Sequence, residues 1–107
     1  MSRLLRLLMI GLVLCANGLV RAAEDEQRRE HFQKTVRPIL ERRCFSCHSH
    51  AAQQMEGGLA LDWRSGWEQG GGRGPAVVPG DVAKSLLLKA IRHEDAELKM
   101  PEDKLPD

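Results

Sequence analysis

The chain has 107 residues, which is enough for one small domain. Its formal net charge is +1 at pH 7, so no strongly charged partner such as nucleic acid is expected. Aromatic residues make up only 4% of the chain, and 10 residues are glycine. A small domain with so little apolar area is expected to need a disulfide, a metal or a large cofactor to complete its core.

Residues 1–22 have the features of a secretory signal peptide. Arg3 and Arg6 precede an apolar run from Leu7 to Val20, and Ala22 offers a small residue to a signal peptidase. The run is shorter than the ~20 residues that span a bilayer. We therefore predict cleavage after Ala22 and export to the periplasm or an equivalent extracytoplasmic space, with no stable membrane insertion afterwards. An uncleaved membrane anchor is the alternative.

The predicted mature domain, residues 23–107, retains two of the three cysteines. Cys15 lies in the signal, and the bulky Leu14 before it does not match the small residue that usually precedes a lipid-anchored cysteine. The domain keeps 13 of the 16 basic and all 15 acidic side chains, so its formal charge is about −2. With only two cysteines left, the choice of a stabilising group is narrow, and a bound cofactor would supply the missing core.

A first helix is predicted ahead of these two cysteines, because apolar residues recur there at helical spacing: Phe32, Val36, Ile39 and Leu40. Pro38 interrupts the pattern, so we expect either a kink or a new helix with Pro38 in its first turn. Both alternatives place Cys44 at the end of a helix.

The glycine-rich stretch that follows is predicted to hold one short helix. Residues 57–62 are typical of an extended piece and a turn, after which Asp62 is expected to cap a helix through Trp63 and Trp67. Residues 70–74 contain four glycines and should end that helix.

A last helix is predicted after the turn and N-cap signal at residues 79–81. Its buried face should consist of Leu86, Leu87, Ala90 and Ile91. We expect this helix to end near His93, before an acidic stretch, with residues 98–101 as a loop. The pattern as a whole predicts short helices joined by long glycine-rich loops.

The segment Cys44-Phe45-Ser46-Cys47-His48 is the attachment signature of a c-type haem. A separation of two residues places both thiols at the same edge of a porphyrin, where they add to its two vinyl groups. The histidine after the second cysteine is thereby held under the iron as an axial ligand. We predict one haem c (iron) per chain, tethered by Cys44 and Cys47 and ligated by His48.

Three other interpretations of these residues are open. A disulfide or redox dithiol between Cys44 and Cys47 is typical of a βαβ setting, which is not predicted here. A zinc ion would need Cys44, Cys47, His48 and His50 as ligands, and neighbours so close in sequence could hardly close a tetrahedron around one ion. A chance occurrence is the third, and the export signal weighs against it because haem is attached outside the cytoplasm.

An electron-transfer haem generally needs a second axial ligand, for which Met55, His93 and Met100 are candidates. Met100 is favoured, because it follows the last helix and precedes Pro101, whose fixed backbone would stiffen the loop. Met55 lies too close to the cysteine motif to reach the opposite face of the ring easily. His93 is the harder alternative to exclude, although a histidine at a helix C-terminus is also favoured by the helix dipole alone.

The chain resembles the haem domain of planctomycete-type cytochrome c proteins, which are class I-like c-type cytochromes, from Phe32 to Leu105. The resemblance rests on six segments in one order: VRPIL (36–40), CFSCHS (44–49), GGLALD (57–62), GPAVVPGD (74–81), KSLLL (84–88) and LKMP (98–101). It implies a small all-α cytochrome c fold whose helices wrap the porphyrin, with Met100 as the distal ligand. Members of the family continue into a C-terminal helix that packs across the first one, whereas this chain stops at Asp107. We therefore expect either a truncated fragment or a partner that supplies this packing.

We predict an electron-transfer domain that catalyses nothing by itself, because an iron ligated by both His48 and Met100 has no open position. Its partner would be a redox protein or a linked enzyme domain. Two alternatives remain: a haem sensor or peroxidase-like site in which Met100 is unbound, and a zinc-stapled binding module. Five apolar side chains are expected to pack around the ring: Leu59, Leu61, Trp63, Leu87 and Ile91.

Overall fold

The structure is a computed structural model that describes residues 3–103. It contains two compact units, Met1–Arg37 and Pro38–Asp107. The described chain is mostly helical with few strands, as the sequence predicts for a small helical domain.

The first unit contains helix α1, Arg3–His31, and a π-helical segment, Phe32–Val36. Within residues 3–31 every side chain is exposed. The helical stretch Arg3–Arg43 includes an 18-residue window with a mean hydropathy of 1.8, which is long and apolar enough to cross a membrane. Signal sequences near an N-terminus have the same property, so the predicted signal at residues 1–22 and its cleavage after Ala22 stay predictions.

Helix α2, Arg37–Arg43, carries Pro38 in its first turn, but it continues from the π-helical segment without the short turn that was expected before a new helix. Proline has no N–H and its ring collides with the carbonyl four residues earlier, and the π-helical segment before α2 is a wider turn that accommodates this. Cys44 follows α2 directly, so the prediction of a cysteine at a helix end is confirmed.

A small antiparallel hairpin follows the cysteine motif and was not predicted. Strand β1, His48–Ser49, pairs with strand β2, Gln54–Met55, in a register that places His48 opposite Met55. A 3-10 turn, Glu56–Gly58, comes next. With two residues in each strand, no alternating pattern is long enough to be recognised in the sequence.

Helix α3, Arg64–Gln69, and helix α4, Leu86–Arg92, complete the second unit. Gly70 ends α3 with a φ of 75°, a left-handed conformation that glycine adopts readily. His93 ends α4 with a φ of 55°, so the predicted end of the last helix is confirmed.

Both predicted N-caps are wrong in detail. Trp63, rather than Asp62, occupies the N-cap position of α3, and Ser85 occupies that of α4. Asp81 instead accepts a hydrogen bond from the amide of Lys84 at 3.0 Å, within the turn before α4. The turn was predicted correctly, and the helix begins several residues later than the signal at residues 79–81.

The core of the second unit is thin and made of small residues. Its buried apolar side chains within the described chain are Ala60, Leu61, Ala76 and Ala90. Two buried serines have their polar atoms satisfied locally. Ser49 donates to the carbonyl of Phe45 at 2.6 Å and accepts from the amide of Ala52 at 3.0 Å, and Ser85 donates to the carbonyl of Asp81 at 2.8 Å.

Candidate haem site

The cysteine motif forms a single turn that continues the geometry of α2. The amide of Cys44 donates to the carbonyl of Leu40 at 2.8 Å, and the amide of His48 donates to the carbonyl of Cys44 at 2.9 Å. A third bond, from the amide of Cys47 to the same Cys44 carbonyl, measures 3.2 Å. Cys44 and Cys47 thus lie three residues apart on one hydrogen-bonded turn.

Both thiols of the turn are free within the described chain. Cys44 is half-buried and Cys47 is exposed. Burial raises the pKa of the Cys44 thiol above its ordinary value of 9.0, because a thiolate is poorly solvated there. Cys44 is therefore a protonated thiol at neutral pH, while Cys47 is open to a reagent from solvent.

His48 is held by its backbone and lacks a partner for one ring nitrogen. Its carbonyl accepts a hydrogen bond from the amide of Leu61 at 2.8 Å, and its position opposite Met55 in the hairpin fixes the chain on both sides. Among the described residues, none forms a hydrogen bond with the buried Nδ1 of His48. A buried polar atom without a partner is costly.

The donor set fits a haem c. Two free thiols and an imidazole lie on one turn, and these are the groups that form the two thioether links and one axial bond of such a haem. The zinc alternative lacks this support: among residues 3–103, no group of three His, Cys, Asp or Glu side chains is placed to hold one metal ion.

Asp62 has a structural role at the site that the sequence did not reveal. Its carboxylate accepts hydrogen bonds from the amides of His50 at 3.0 Å and Ala51 at 3.2 Å, and it lies 3.1 Å from the Nδ1 of His50. The side chain of Asp62 is only 9% exposed. Burial alone would raise the pKa of Asp62, but these hydrogen bonds outweigh it and hold the pKa below its ordinary value.

Met100 lies on the loop after α4. Its amide donates to the carbonyl of Ala90 at 3.1 Å, and its side chain is 44% exposed. The ring Nε2 of His93 lies 2.9 Å from the carbonyl oxygen of Pro101. Met55 is also exposed and lies on β2.

A groove of about 160 Å³ lies beside α3 and includes none of the four predicted haem contacts. Its lining comes from the hairpin and α3: His50, Met55, Gly58, Ala60, Ser65, Gly66, Gln69 and Gly70. This volume is well below the roughly 300–1,000 Å³ of ordinary cofactor pockets. We do not assign the haem to this groove.

Comparison with known proteins gives one match. No curated protein and no solved structure is significantly similar to the chain. The family model described as Planctomycete cytochrome C matches residues 44–103. This range begins at the first cysteine and includes Met100, whereas the resemblance noted in the sequence starts earlier, at Phe32, and ends at Leu105, which lies outside the described residues. The match covers more than half of the chain, which therefore belongs to the Planctomycete cytochrome C family.

Proposed function

We propose that this protein transfers single electrons through one haem c. Cys44 and Cys47 tether the ring, and His48 and Met100 bind the iron from opposite sides. The observation that carries the proposal is the hydrogen-bonded turn at residues 44–48, which contains two free thiols and a half-buried histidine within five residues. Membership of a cytochrome c family supports the same chemistry.

Each residue of the proposed site has a separate task. When bound, the haem supplies a one-electron iron couple. Cys44 and Cys47 each form a thioether and so fix the ring against the turn. His48 would supply an imidazole nitrogen to the iron. Met100 supplies a thioether sulfur, a ligand that raises the reduction potential.

Two observations favour Met100 over His93 as the second ligand. A ring nitrogen of His93 is already within hydrogen-bonding distance of the Pro101 carbonyl, so iron binding through that atom would break this contact. Met100 is 44% exposed, so its sulfur could bind the iron without unpacking the core.

Apolar side chains of the second unit would form the wall of the haem site. Leu59, Leu87 and Ile91 are half-buried and Trp63 is 64% exposed, so each has apolar area left to cover. Leu61 differs from the expectation, because it is only 4% exposed and is already packed within the protein. The fold proposed for residues 23–107 thus wraps one haem with helices and glycine-rich loops.

The proposed role is that of an electron carrier rather than an enzyme, since two protein ligands leave the iron without an open position. The proposed signal at residues 1–22 would export the chain to the compartment where haem is attached. A redox protein or a linked enzyme domain is the proposed partner. Neither nucleic acid nor stable membrane insertion has a part in this proposal.

The proposal is tested by expression in a periplasm that has haem-attachment machinery. Wild type should give a haem-stained band on a denaturing gel, because thioethers survive denaturation. The double variant Cys44→Ala/Cys47→Ala should give none, and His48→Ala should accumulate little mature protein. Cys15→Ala is the matched control, since it removes a cysteine outside the motif and should keep the stain.

Two results would overturn the proposal. A wild-type protein that carries no covalent haem under these conditions would not be a c-type cytochrome. A zinc ion bound at one per chain, removed by the same double variant, would establish the binding-module alternative instead.

A further inference from the structure

We propose that His93 is a positioning residue that holds the Met100 loop in place for the iron. This inference rests on the proposed function, because it assumes that Met100 is the distal ligand. Its basis is the contact of 2.9 Å between the ring Nε2 of His93 and the carbonyl oxygen of Pro101. In this contact the ring N–H donates and the carbonyl accepts.

The two residues are brought together by the end of α4. His93 adopts a left-handed conformation with a φ of 55°, which reverses the chain after the helix. Its amide and the amide of Met100 both donate to the carbonyl of Ala90, each at 3.1 Å. The loop therefore returns to the turn of helix from which it left, and Ala90 is buried at that point.

The two contacts fix Met100 from both directions along the chain. The Met100 amide is tied to the carbonyl of Ala90 on its N-terminal side. On its C-terminal side the carbonyl of Pro101, one residue later, is tied to the His93 ring. Because the Met100 amide and the Pro101 carbonyl are both held, the backbone around Met100 has few conformations to lose when its half-exposed thioether binds iron.

A residue of the glycine-rich segment 70–74 also stabilises the loop between α4 and Met100. The guanidinium of Arg73 donates to the carbonyl of Glu97 at 3.2 Å, and the amide of Glu97 donates to the side chain of Asp95 at 2.9 Å. These bonds hold the middle of the loop but reach neither side of Met100. The His93 contact is therefore the side-chain bond that acts next to the ligand.

The test measures how easily an added ligand displaces Met100. Imidazole is titrated into the ferric holoprotein, and binding is followed by loss of the near-infrared sulfur-to-iron band. His93→Gly removes the ring while glycine tolerates a φ of 55°, so the helix end is preserved. We expect imidazole to bind about fivefold more tightly, the change produced by losing the net contribution of one hydrogen bond.

Three further variants make the result specific. His93→Asn also accepts the left-handed conformation, but its side chain ends short of Pro101, so it should behave like His93→Gly. His93→Gln keeps an N–H donor at the ε position and should return the imidazole affinity toward wild type. Arg92→Ala removes an exposed side chain on the same helix and should bind imidazole as wild type does.

The outcomes separate this inference from the proposed function. If Met100→Ala abolishes the near-infrared band while His93→Gly and His93→Asn bind imidazole as wild type does, Met100 is the ligand and His93 does not position it. If wild type lacks the band, or keeps it in Met100→Ala, methionine ligation itself is wrong. If neither His93→Gly nor His93→Asn matures while His93→Gln does, the contact from residue 93 to the Pro101 carbonyl is required for folding, and the positioning role is rejected.

Discussion

Two methionines of the second unit are about half exposed, Met55 at 47% and Met100 at 44%. They form a matched pair for testing the distal ligand. We expect Met100→Ala to lower the reduction potential by on the order of 0.1 V and to open the iron to carbon monoxide, because a thioether stabilises ferrous iron more than water does. Met55→Ala should leave the potential and the near-infrared band unchanged. The measurements are redox titration and carbon monoxide binding on both variants.

The opposite pattern would identify a different ligand. If Met55→Ala removes the band and Met100→Ala does not, the hairpin rather than the α4 loop supplies the sulfur. An unchanged potential in both variants would leave His93 as the candidate.

The carboxylate of Asp62 should make folding stability depend on pH in the acid range. Its pKa in the folded protein lies below the ordinary value of 3.8, because hydrogen bonds to His50 and Ala51 favour the charged form over the opposing effect of burial. Stability from this group is therefore fully present above about pH 4 and is lost as the pH falls through the lowered pKa. Asp62→Asn should lack this part of the acid dependence and cost about 1–3 kcal/mol at neutral pH.

Denaturant unfolding of the holoprotein between about pH 5 and pH 2 measures this difference. Glu56→Gln serves as the control, because Glu56 is an exposed carboxylate in the adjoining 3-10 turn. If Asp62→Asn follows the wild-type pH profile, the carboxylate does not hold the segment after His48.

At the residue scale, the sequence predicted the haem-attachment chemistry but not the role of Asp62. The motif at residues 44–48 is local, so its spacing alone indicates what it can bind. Asp62 was expected to cap the next helix, yet its carboxylate bonds to the amide of His50, twelve residues earlier. Such a contact depends on how the chain folds back on itself, so the residues adjacent to Asp62 in the sequence do not predict it.

Elements of the second unit pack so closely at Gly71 that only glycine fits. A Cβ built on Gly71 would collide with the carbonyl oxygen of Gly57, whereas one on Gly72 has that same atom at 3.9 Å, an ordinary contact. We expect Gly71→Ala to destabilise the fold by about 1–3 kcal/mol, the typical cost of overpacking. Gly72→Ala should change stability by about 0.5 kcal/mol or less.

Thermal melts of the two alanine variants and wild type, followed at the haem absorption band, test this packing. The pair is closely matched, because the residues are adjacent and undergo the same substitution. Equal midpoints for Gly71→Ala and Gly72→Ala would show that the segment relaxes away from Gly57 without cost.

At the scale of elements, helix ends were predictable where one residue type determines them. Gly70 ends α3 and His93 ends α4, as the sequence indicates. The start of α4 was misjudged because the amides after Asp81 enter a turn, stabilised by Ser85 and Asp81, before the helix begins. The hairpin at residues 48–55 was missed because its pairing joins two strands of only two residues each.

The whole second unit has too little buried apolar area to explain a stable fold. Within residues 38–103 its buried apolar residues are three alanines and one leucine, and burying one leucine contributes about 2 kcal/mol. Ordering each residue costs about 1.5 kcal/mol of conformational entropy. The half-buried apolar side chains must therefore be buried further to offset this cost. A haem would provide this burial, and it is one of the three kinds of group, with a disulfide and a metal, that the composition of so small a domain calls for.

We therefore expect the second unit to depend on the haem for its tertiary structure. The double variant Cys44→Ala/Cys47→Ala, purified without haem, should lose the cooperative thermal transition of the wild-type holoprotein. It should also bind a hydrophobic dye, because Leu59, Leu87 and Ile91 keep the exposure that the ring would otherwise remove. Near-ultraviolet circular dichroism and dye fluorescence measure the two effects, with Cys15→Ala as the control that retains haem and should melt like wild type. A haem-free double variant that melts cooperatively within a few degrees of the holoprotein would mean that the small core suffices, and that the cofactor is added to a fold already complete.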